Sequence, residues 1–212
     1  MKPNSQRLIT TPKGVHIKLK EFGLVDYELS HRAMKTFASE RDESVTDEIW
    51  LLQHPPVYTQ GTACEMATLL PSDIPVIKTD RGGQITYHGP GQWVMYPLLH
   101  LKRHSMGVRS LVGCLEQCII DLLASEGVIA LRRENAPGVY VNDEKIAALG
   151  LRIRRGNSYH GLSLNVDMDL APFSNIDPCG YQGLKVTQLA NLITVDEADL
   201  GKRLVQKFVE LL

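Results

Sequence analysis

Residues 137–168 hold three strand candidates in succession with no helix between them. PGVYVND (137–143) runs through Asn142-Asp143 into KIAALGLRI (145–153), which reads as a hairpin, though not a tight one. HGLSLNVDM (160–168) follows as a third strand. Strands that follow one another directly do not build a sheet made only of strand–helix–strand units, so a doubly wound parallel fold is disfavoured. The rest of the chain alternates irregularly. VHIKLKEFG (15–23) has the period of a half-buried strand, and IWLLQH (49–54) is a buried strand ended by Pro55-Pro56. PVIKT (75–79) and QWVMYPLL (92–99) are further strands. Residues 26–41 read as an amphipathic helix with Leu29, Met34 and Phe37 among its apolar positions. In RSLVGCLEQCIIDLLASEG (109–127), Leu111, Leu115, Cys118 and Leu122 form one stripe and Gly127 suits a C-terminal cap. Thr194 and Glu197 make a capping pattern before the helical LVQKFVELL. The expected fold is α+β, a mixed β-sheet with flanking helices, in one domain over residues 1–212.

Charge and cysteine usage narrow the function classes. The formal net charge of −1 gives no global field toward nucleic acid or membrane, so any basic surface must be local. No window approaches the roughly 18 apolar residues of a membrane span, and MKPNSQRLITTPKG has no signal-like apolar run. Cys64, Cys114, Cys118 and Cys179 form no CxxC pair, which points to reduced thiols and a cytoplasmic location. Cys114 and Cys118 share a helix face with leucines and read as core. Cys64, in GTACEM, sits on a loop and carries no clear signal.

The densest concentration of permissive backbone is RGGQITYHGPGQ, residues 81–92. Its glycines let main-chain N–H groups approach a ligand, and Gly89-Pro90-Gly91 marks a turn. The stretch lacks both the Gly-Lys-Ser/Thr of a phosphate loop and the GxGxxG of a dinucleotide fold. A plain hairpin loop with a surface histidine is the alternative. Cys179, in the turn-rich IDPCGYQG, lies off the apolar helical stripe that holds Cys114 and Cys118 and is a candidate nucleophile; a half-buried structural thiol is the alternative. Lys145 opens the apolar KIAALGL and is a cation that could lower a thiol pKa, or else a solvated strand-edge charge. His54, His88 and His160 lack the short spacing of a zinc motif, so no metal is expected. Arg152, Arg154 and Arg155, with Arg132-Arg133, read as a solvated strand face or as a docking patch for an acidic partner.

Taken in order, HPPVYTQG, RGGQITYHGPGQ, NDEKIAALGLRI, HGLSLNV and DPCG resemble the bacterial octanoyltransferases of lipoate synthesis, over about residues 15 to 192. The resemblance implies a biotin/lipoate protein ligase-like fold and an acyltransferase. It implies Cys179 as the acyl-thioester nucleophile and Lys145 as its pKa-lowering partner. It further implies a substrate site made of Arg81, Gly82, Gly83, Gln84, Ile85, Thr86, Tyr87 and His88, with Arg81 and His88 at its rim. Ala148, Leu149, Gly150, Gly161, Leu162 and Ser163 would complete it. Ser163 stands where alanine is more common in that family, and Tyr140 where tryptophan is frequent. The implied donor is octanoyl-acyl carrier protein. The implied acceptors are lipoyl domains of 2-oxoacid dehydrogenases and the glycine cleavage H protein. A thioester donor already carries the driving force, so no cofactor is expected, and neither nucleic acid nor membrane is an expected partner. The rival readings are an ATP-dependent lipoate or biotin ligase of the same fold, and a non-catalytic module that binds acyl carrier or lipoyl domains.

Overall fold

In the computed structural model, which describes residues 1–64, 72–176, 185–195 and 197–212, strands and helices follow one another irregularly. In chain order they are Ser5–Thr10 (β1), His16–Leu24 (β2), Tyr27–Glu40 (α1), Asp47–Gln53 (β3), Val57–Gln60 (β4), Val76–Lys78 (β5), Ile85–His88 (β6) and Gln92–Leu98 (β7). Then come Val108–Ser125 (α2), Val139–Val141 (β8), Glu144–Arg154 (β9), Asn157–Asn165 (β10) and Glu197–Glu210 (α3). Seven strands form one sheet in the order β1-β2-β3-β7-β10-β9-β8, and β5-β4-β6 form a second. Within the large sheet β2 and β3 run parallel and the other neighbours antiparallel, so the sheet is mixed as the strand spacing implies.

Side-chain alternation divides the large sheet into two faces. Ile49, Leu51, Met95, Leu162 and Leu164 pack with Leu111, Leu115, Cys118 and Leu122 of α2 and with Leu204 and Phe208 of α3. Trp50, Leu52, Val94, Tyr96 and Tyr159 face the other way and meet Met34 and Ala38 of α1. The α2 stripe is fully buried, Cys114 lies half-buried beside it, and Gly127 takes the left-handed φ of +77° expected of a cap. Leu29, however, is 46% exposed, because it lies on the outer side of α1. The side chain of Glu197, and with it the proposed capping pattern, lies outside the described residues.

Several connections differ from the sequence reading. The β8–β9 hairpin is tight: Val141 pairs with Glu144 across Asn142 and Asp143, whose φ angles are +48° and +68°. Asn and Asp accept this left-handed pair because their short polar side chains stabilise it locally. Arg155 and Gly156 turn β9 into β10 in the same way, with φ of +50° and +79°. The two strands around RGGQITYHGPGQ are not partners: β5 pairs with β4, while β7 lies in the middle of the large sheet. The stretch also contains a strand of its own, β6, paired antiparallel to β4. Strands β1, β4 and β6 carry too little alternation over their short lengths to be read from the pattern.

Candidate active site

The β-sheet register builds a trough on the α1 face from small residues. Gly161 of β10 pairs with Gly150 of β9, and Ser163 lies between Ala148 of β9 and Val94 of β7. Asn165 pairs with Gln92 at one end of the trough. Residues 83–86 and Phe173 cover it, leaving a cavity of about 810 Å³, its open mouth included. The glycines serve the chain's own packing. A Cβ on Gly161 would lie 2.1 Å from the Met95 carbonyl oxygen, and one on Gly150 would lie 2.9 Å from the Gly82 carbonyl oxygen. The room for a ligand comes instead from Ala148, Ser163 and Val94 between them.

Of the expected site residues, Arg81, Gly83, Gln84, Ile85, Thr86, His88, Ala148, Leu149, Gly150, Gly161, Leu162, Ser163 and Lys145 all line this one cavity. Gly82 and Tyr87 do not. Gly82 is tied by its N–H to the Leu151 carbonyl at 3.0 Å, and Tyr87 packs edge-on to Phe173 in a separate apolar cluster with Tyr58 and Ile176. Cys179 lies outside the described residues. The residues flanking its segment are placed: Ile176 is buried under the small sheet, and Lys185 to Thr187 run alongside β9.

Lys145 is not a solvated edge charge. It is 4% exposed, and its Nζ donates to the Pro137 carbonyl at 3.3 Å and lies 5.4 Å from the centre of the Tyr140 ring. Main-chain bonds join it to the segment that follows Cys179: Lys145 N–H donates to Lys185 O, and Thr187 N–H donates to Lys145 O, both at 2.9 Å. Asn165 reinforces this end by donating to the Thr187 carbonyl at 3.0 Å.

Arg81 and His88 are buried in the wall, not set at a rim. The Arg81 guanidinium donates to Thr59 Oγ1 at 2.9 Å and to the Thr59 carbonyl at 2.6 Å. His88 stacks on Tyr27 at 5.7 Å, with its Nδ1 2.7 Å from Gln92 Oε1. His54 lies 2.8 Å from the Tyr96 hydroxyl. Burial pushes the pKa of His54 down to about 4 and that of His88 to about 3, so both are neutral at physiological pH. The same desolvation lifts the Tyr27 phenol to about 12.

A second cluster was not foreseen. His160 and His31 each bring Nε2 to 3.0 Å from Asp80 Oδ1, and the Tyr159 hydroxyl donates to Asp80 Oδ2 at 2.6 Å. The His160 contact, followed by those of Tyr159 and His31, holds the Asp80 carboxyl well below the usual carboxylate range. Burial pushes His160 itself down to about 4. His31, Asp80 and His160 place ligand-type atoms within 4.8 Å of one another. Lys35 Nζ already lies 3.7 Å from Asp80 Oδ2, so the carboxylate faces an ammonium, a phenol and two imidazoles, an arrangement that disfavours a further cation. Tyr27, Gln92, Tyr96 and Asn165 also line the cavity and were missed. For Gln92, Val94 and Tyr96 the signal was there, since period two puts them on one face of β7.

The basic residues divide. Arg152, Arg154 and Arg155 are exposed. Arg132 is engaged by Glu116 at 3.1 Å, and Arg133 lies 4.5 Å over the Tyr140 ring while pairing with Asp143. Among the described residues no helix is long and apolar enough to cross a membrane.

The fold is shared with solved ligases. A lipoate-protein ligase A bound with ATP superposes with a TM-score of 0.76 at 15% identity, covering 92% of this chain and 84% of that one. The biotin protein ligase of Aquifex aeolicus, in complex with biotin and ATP, gives 0.60 at 13% identity over 91% of this chain and 69% of its own. Residues 26–209 match the lipoyl protein ligase A/B catalytic domain, and the chain is a member of that family. The sequence narrows the class. The octanoyltransferase of Hahella chejuensis is 55% identical over 193 residues, covering 90% of this chain and 86% of the relative. That of Chromobacterium violaceum is 58% identical over 184 residues, covering 85% and 89%, and that of Shewanella frigidimarina is 52% identical with 92% of each covered. The chain belongs to the octanoyltransferases, a group of acyltransferases.

Proposed function

We propose that this chain transfers an octanoyl group from the thioester of an acyl carrier protein to a lysine of a lipoyl domain, through a thioester on Cys179. The observation that carries the reading is the buried Lys145 ammonium, set in the cavity wall and bonded through its main chain to the segment that follows Cys179. A free thiol has a pKa of about 8.5 and is mostly protonated at neutral pH; a nearby cation in a dry setting favours the thiolate. Lys145 supplies that cation.

In the first step the Cys179 sulfur attacks the donor's carbonyl carbon. The new carbon–sulfur bond replaces the one to the carrier, whose thiolate leaves and takes up a proton. One thioester becomes another, so the step is near balance. In the second step the neutral amine of the acceptor lysine attacks the same carbon. The bond to Cys179 breaks, the amine gives up a proton, and an amide forms downhill. In this scheme Lys145 stabilises the departing Cys179 thiolate and relays that proton. Main-chain N–H groups around the cavity are the candidate donors to each tetrahedral oxyanion. The apolar stem of the octanoyl group lies in the trough of Ala148, Ser163 and Val94. The acceptors would be the lipoyl domains of 2-oxoacid dehydrogenases and the glycine cleavage H protein, and the setting the cytoplasm. No ATP enters the scheme.

Intact-mass measurement after mixing with octanoyl-acyl carrier protein, without ATP, tests the proposal. An octanoyl adduct is expected on the protein, absent in Cys179→Ala and nearly absent in Cys179→Ser. Persistence of the adduct in the alanine variant, or a requirement for ATP, overturns it.

A further inference from the structure

His160 breaks the geometry of the strand it sits in. Alternation along β10 sends Leu162 and Leu164 to the α2 and α3 face and Tyr159 to the α1 face. His160 has the parity of Leu162, yet its ring stands on the α1 face, 5.1 Å from His31 and 6.4 Å from Tyr96. The cause is its φ of +57° in the middle of β10. Such a backbone is strained for any residue with a Cβ and persists only where the surroundings over-determine it. Here Asp80 grips Nε2 at 3.0 Å, and the Tyr159 ring stacks on the imidazole at 5.0 Å. The strain aims a 1%-exposed side chain into the cavity wall, which the regular strand would not do.

The register fixes where along the trough this ring stands. His160 pairs with Leu151, whereas the Lys145 side chain runs along β9: the Cβ position of Gly138 is 3.0 Å from Lys145 Cε and 2.8 Å from the Ala147 carbonyl oxygen, which brings the ammonium near the level of Ala147. From Ala147 to Leu151 is roughly 13 Å of extended strand, room for an extended octanoyl chain of about 9 Å and its contact with the ring. The two residues therefore mark opposite ends of the cavity. Beyond His160 the wall is polar, with His54 on Tyr96 and Asp80 on Tyr159. A hydrocarbon tail that pushed further would have to break those contacts without replacing them.

We propose that His160, turned inward by its left-handed backbone and held by Asp80, is the stop that sets the longest acyl chain this enzyme accepts. The inference rests on the octanoyl-transfer reading above, with the thioester at the Lys145 end. His160 is a specificity-determining residue in this scheme and takes no part in the chemistry.

The test is a competition in one tube, with equimolar octanoyl and decanoyl carrier proteins and the adduct ratio read by intact mass. A ratio is insensitive to the folded fraction of a variant. His160→Gly removes the ring and is at ease with positive φ; His160→Asn shortens the side chain and also tolerates that backbone. Both are expected to raise the decanoyl-to-octanoyl ratio by about tenfold, the value of burying two further methylenes. Ser163→Leu fills the middle of the trough and is expected to favour hexanoyl over octanoyl donors by a similar factor. An unchanged decanoyl ratio in both His160 variants, alongside normal octanoyl transfer by the unmodified protein, overturns the stop. No shift toward hexanoyl in Ser163→Leu overturns the direction assigned to the chain. Absence of any adduct in the unmodified protein overturns the octanoyl-transfer reading instead.

Discussion

Lys145 and Thr187 are joined by a main-chain hydrogen bond of 2.9 Å, with the Thr187 N–H donating to the Lys145 carbonyl. The strand that buries the ammonium thus also fixes the chain eight residues beyond Cys179. If the ammonium serves the thiol, removing it should change reactivity more than stability. Lys145→Met keeps the length and deletes the charge. The methionine keeps the packing, and a thiol that loses its cation can take up a proton and leaves no stranded charge, so the circular dichroism spectrum and melting temperature should be retained. Adduct formation should slow by roughly 100-fold or more. The pH midpoint of Cys179 alkylation by iodoacetamide should move up toward the ordinary thiol value of about 8.5. A pH profile identical to that of the unmodified protein would rule out the pairing.

Gly161 is held by the sheet itself. Its Cβ position is 2.1 Å from the Met95 carbonyl oxygen and 2.7 Å from Pro97 Cδ, so Gly161→Ala must push β10 away from β7. The expected loss is about 3 kcal/mol, at the upper end for overpacking. Gly150→Ala meets the Gly82 carbonyl at 2.9 Å and Arg81 Cδ at 3.1 Å, in a loop that can shift. It should lose about 1 kcal/mol. Urea midpoints at neutral pH will rank the two, and equal losses would contradict the rigid β7–β10 contact.

The buried histidines predict a defined acid sensitivity. His54 and His88 sit at about 4 and about 3 when folded, because burial excludes the charged form, against an ordinary value near 6.5. Between those values the unfolded chain binds protons that the folded chain does not. Stability therefore holds above about pH 6.5 and falls as pH drops toward 4, by up to roughly 1.4 kcal/mol per pH unit for each histidine. Asp80, held low by its hydrogen bonds, adds a further loss only below the ordinary carboxylate range. His88→Gln, which keeps a polar partner for Gln92, should flatten the curve of urea midpoint against pH between 6.5 and 4. An equally steep curve in that variant would show that His88 is not the source.

What could be read from sequence tracks how local each determinant is. The α2 stripe was legible because a 3.6-residue period states its buried face directly, and Leu111 and Leu122 are indeed fully buried. The trough was half legible: the glycines of 81–91 marked unusual backbone, but their partners, Leu151 against Gly82 and Asp167 against Gly91, come from segments far apart in the chain. Tyr87 packs edge-on to Phe173 in the cluster with Tyr58, a placement set by residues distant in the chain. His31 and Asp80 were invisible, 49 residues apart and joined only when α1 packs over the sheet. The inward turn of His160 was equally hidden, since a positive φ at a histidine leaves no mark on the pattern around it.

A last prediction concerns the frame that holds α1, and with it Tyr27 and His31, over the sheet. Asp47 of β3 is fully buried and accepts from Arg41 at the end of α1, from His104 at 2.7 Å and from the His100 N–H at 2.9 Å. Arg103 adds a contact at 2.8 Å. Despite burial, these hydrogen bonds keep the carboxyl ionised by lowering its pKa. Asp47→Asn removes the charge, leaving Arg41, itself 2% exposed in its side chain, buried without its anion. Breaking one side of such a cluster is expected to cost about 3 kcal/mol or more, well beyond the worth of a surface pair. Because the damage passes through α1, the variant should also lose protection of the α1 amides in hydrogen exchange, with α2 and α3 less affected. Uniform loss across all three helices would mean that Asp47 stabilises the fold as a whole and not the seat of α1.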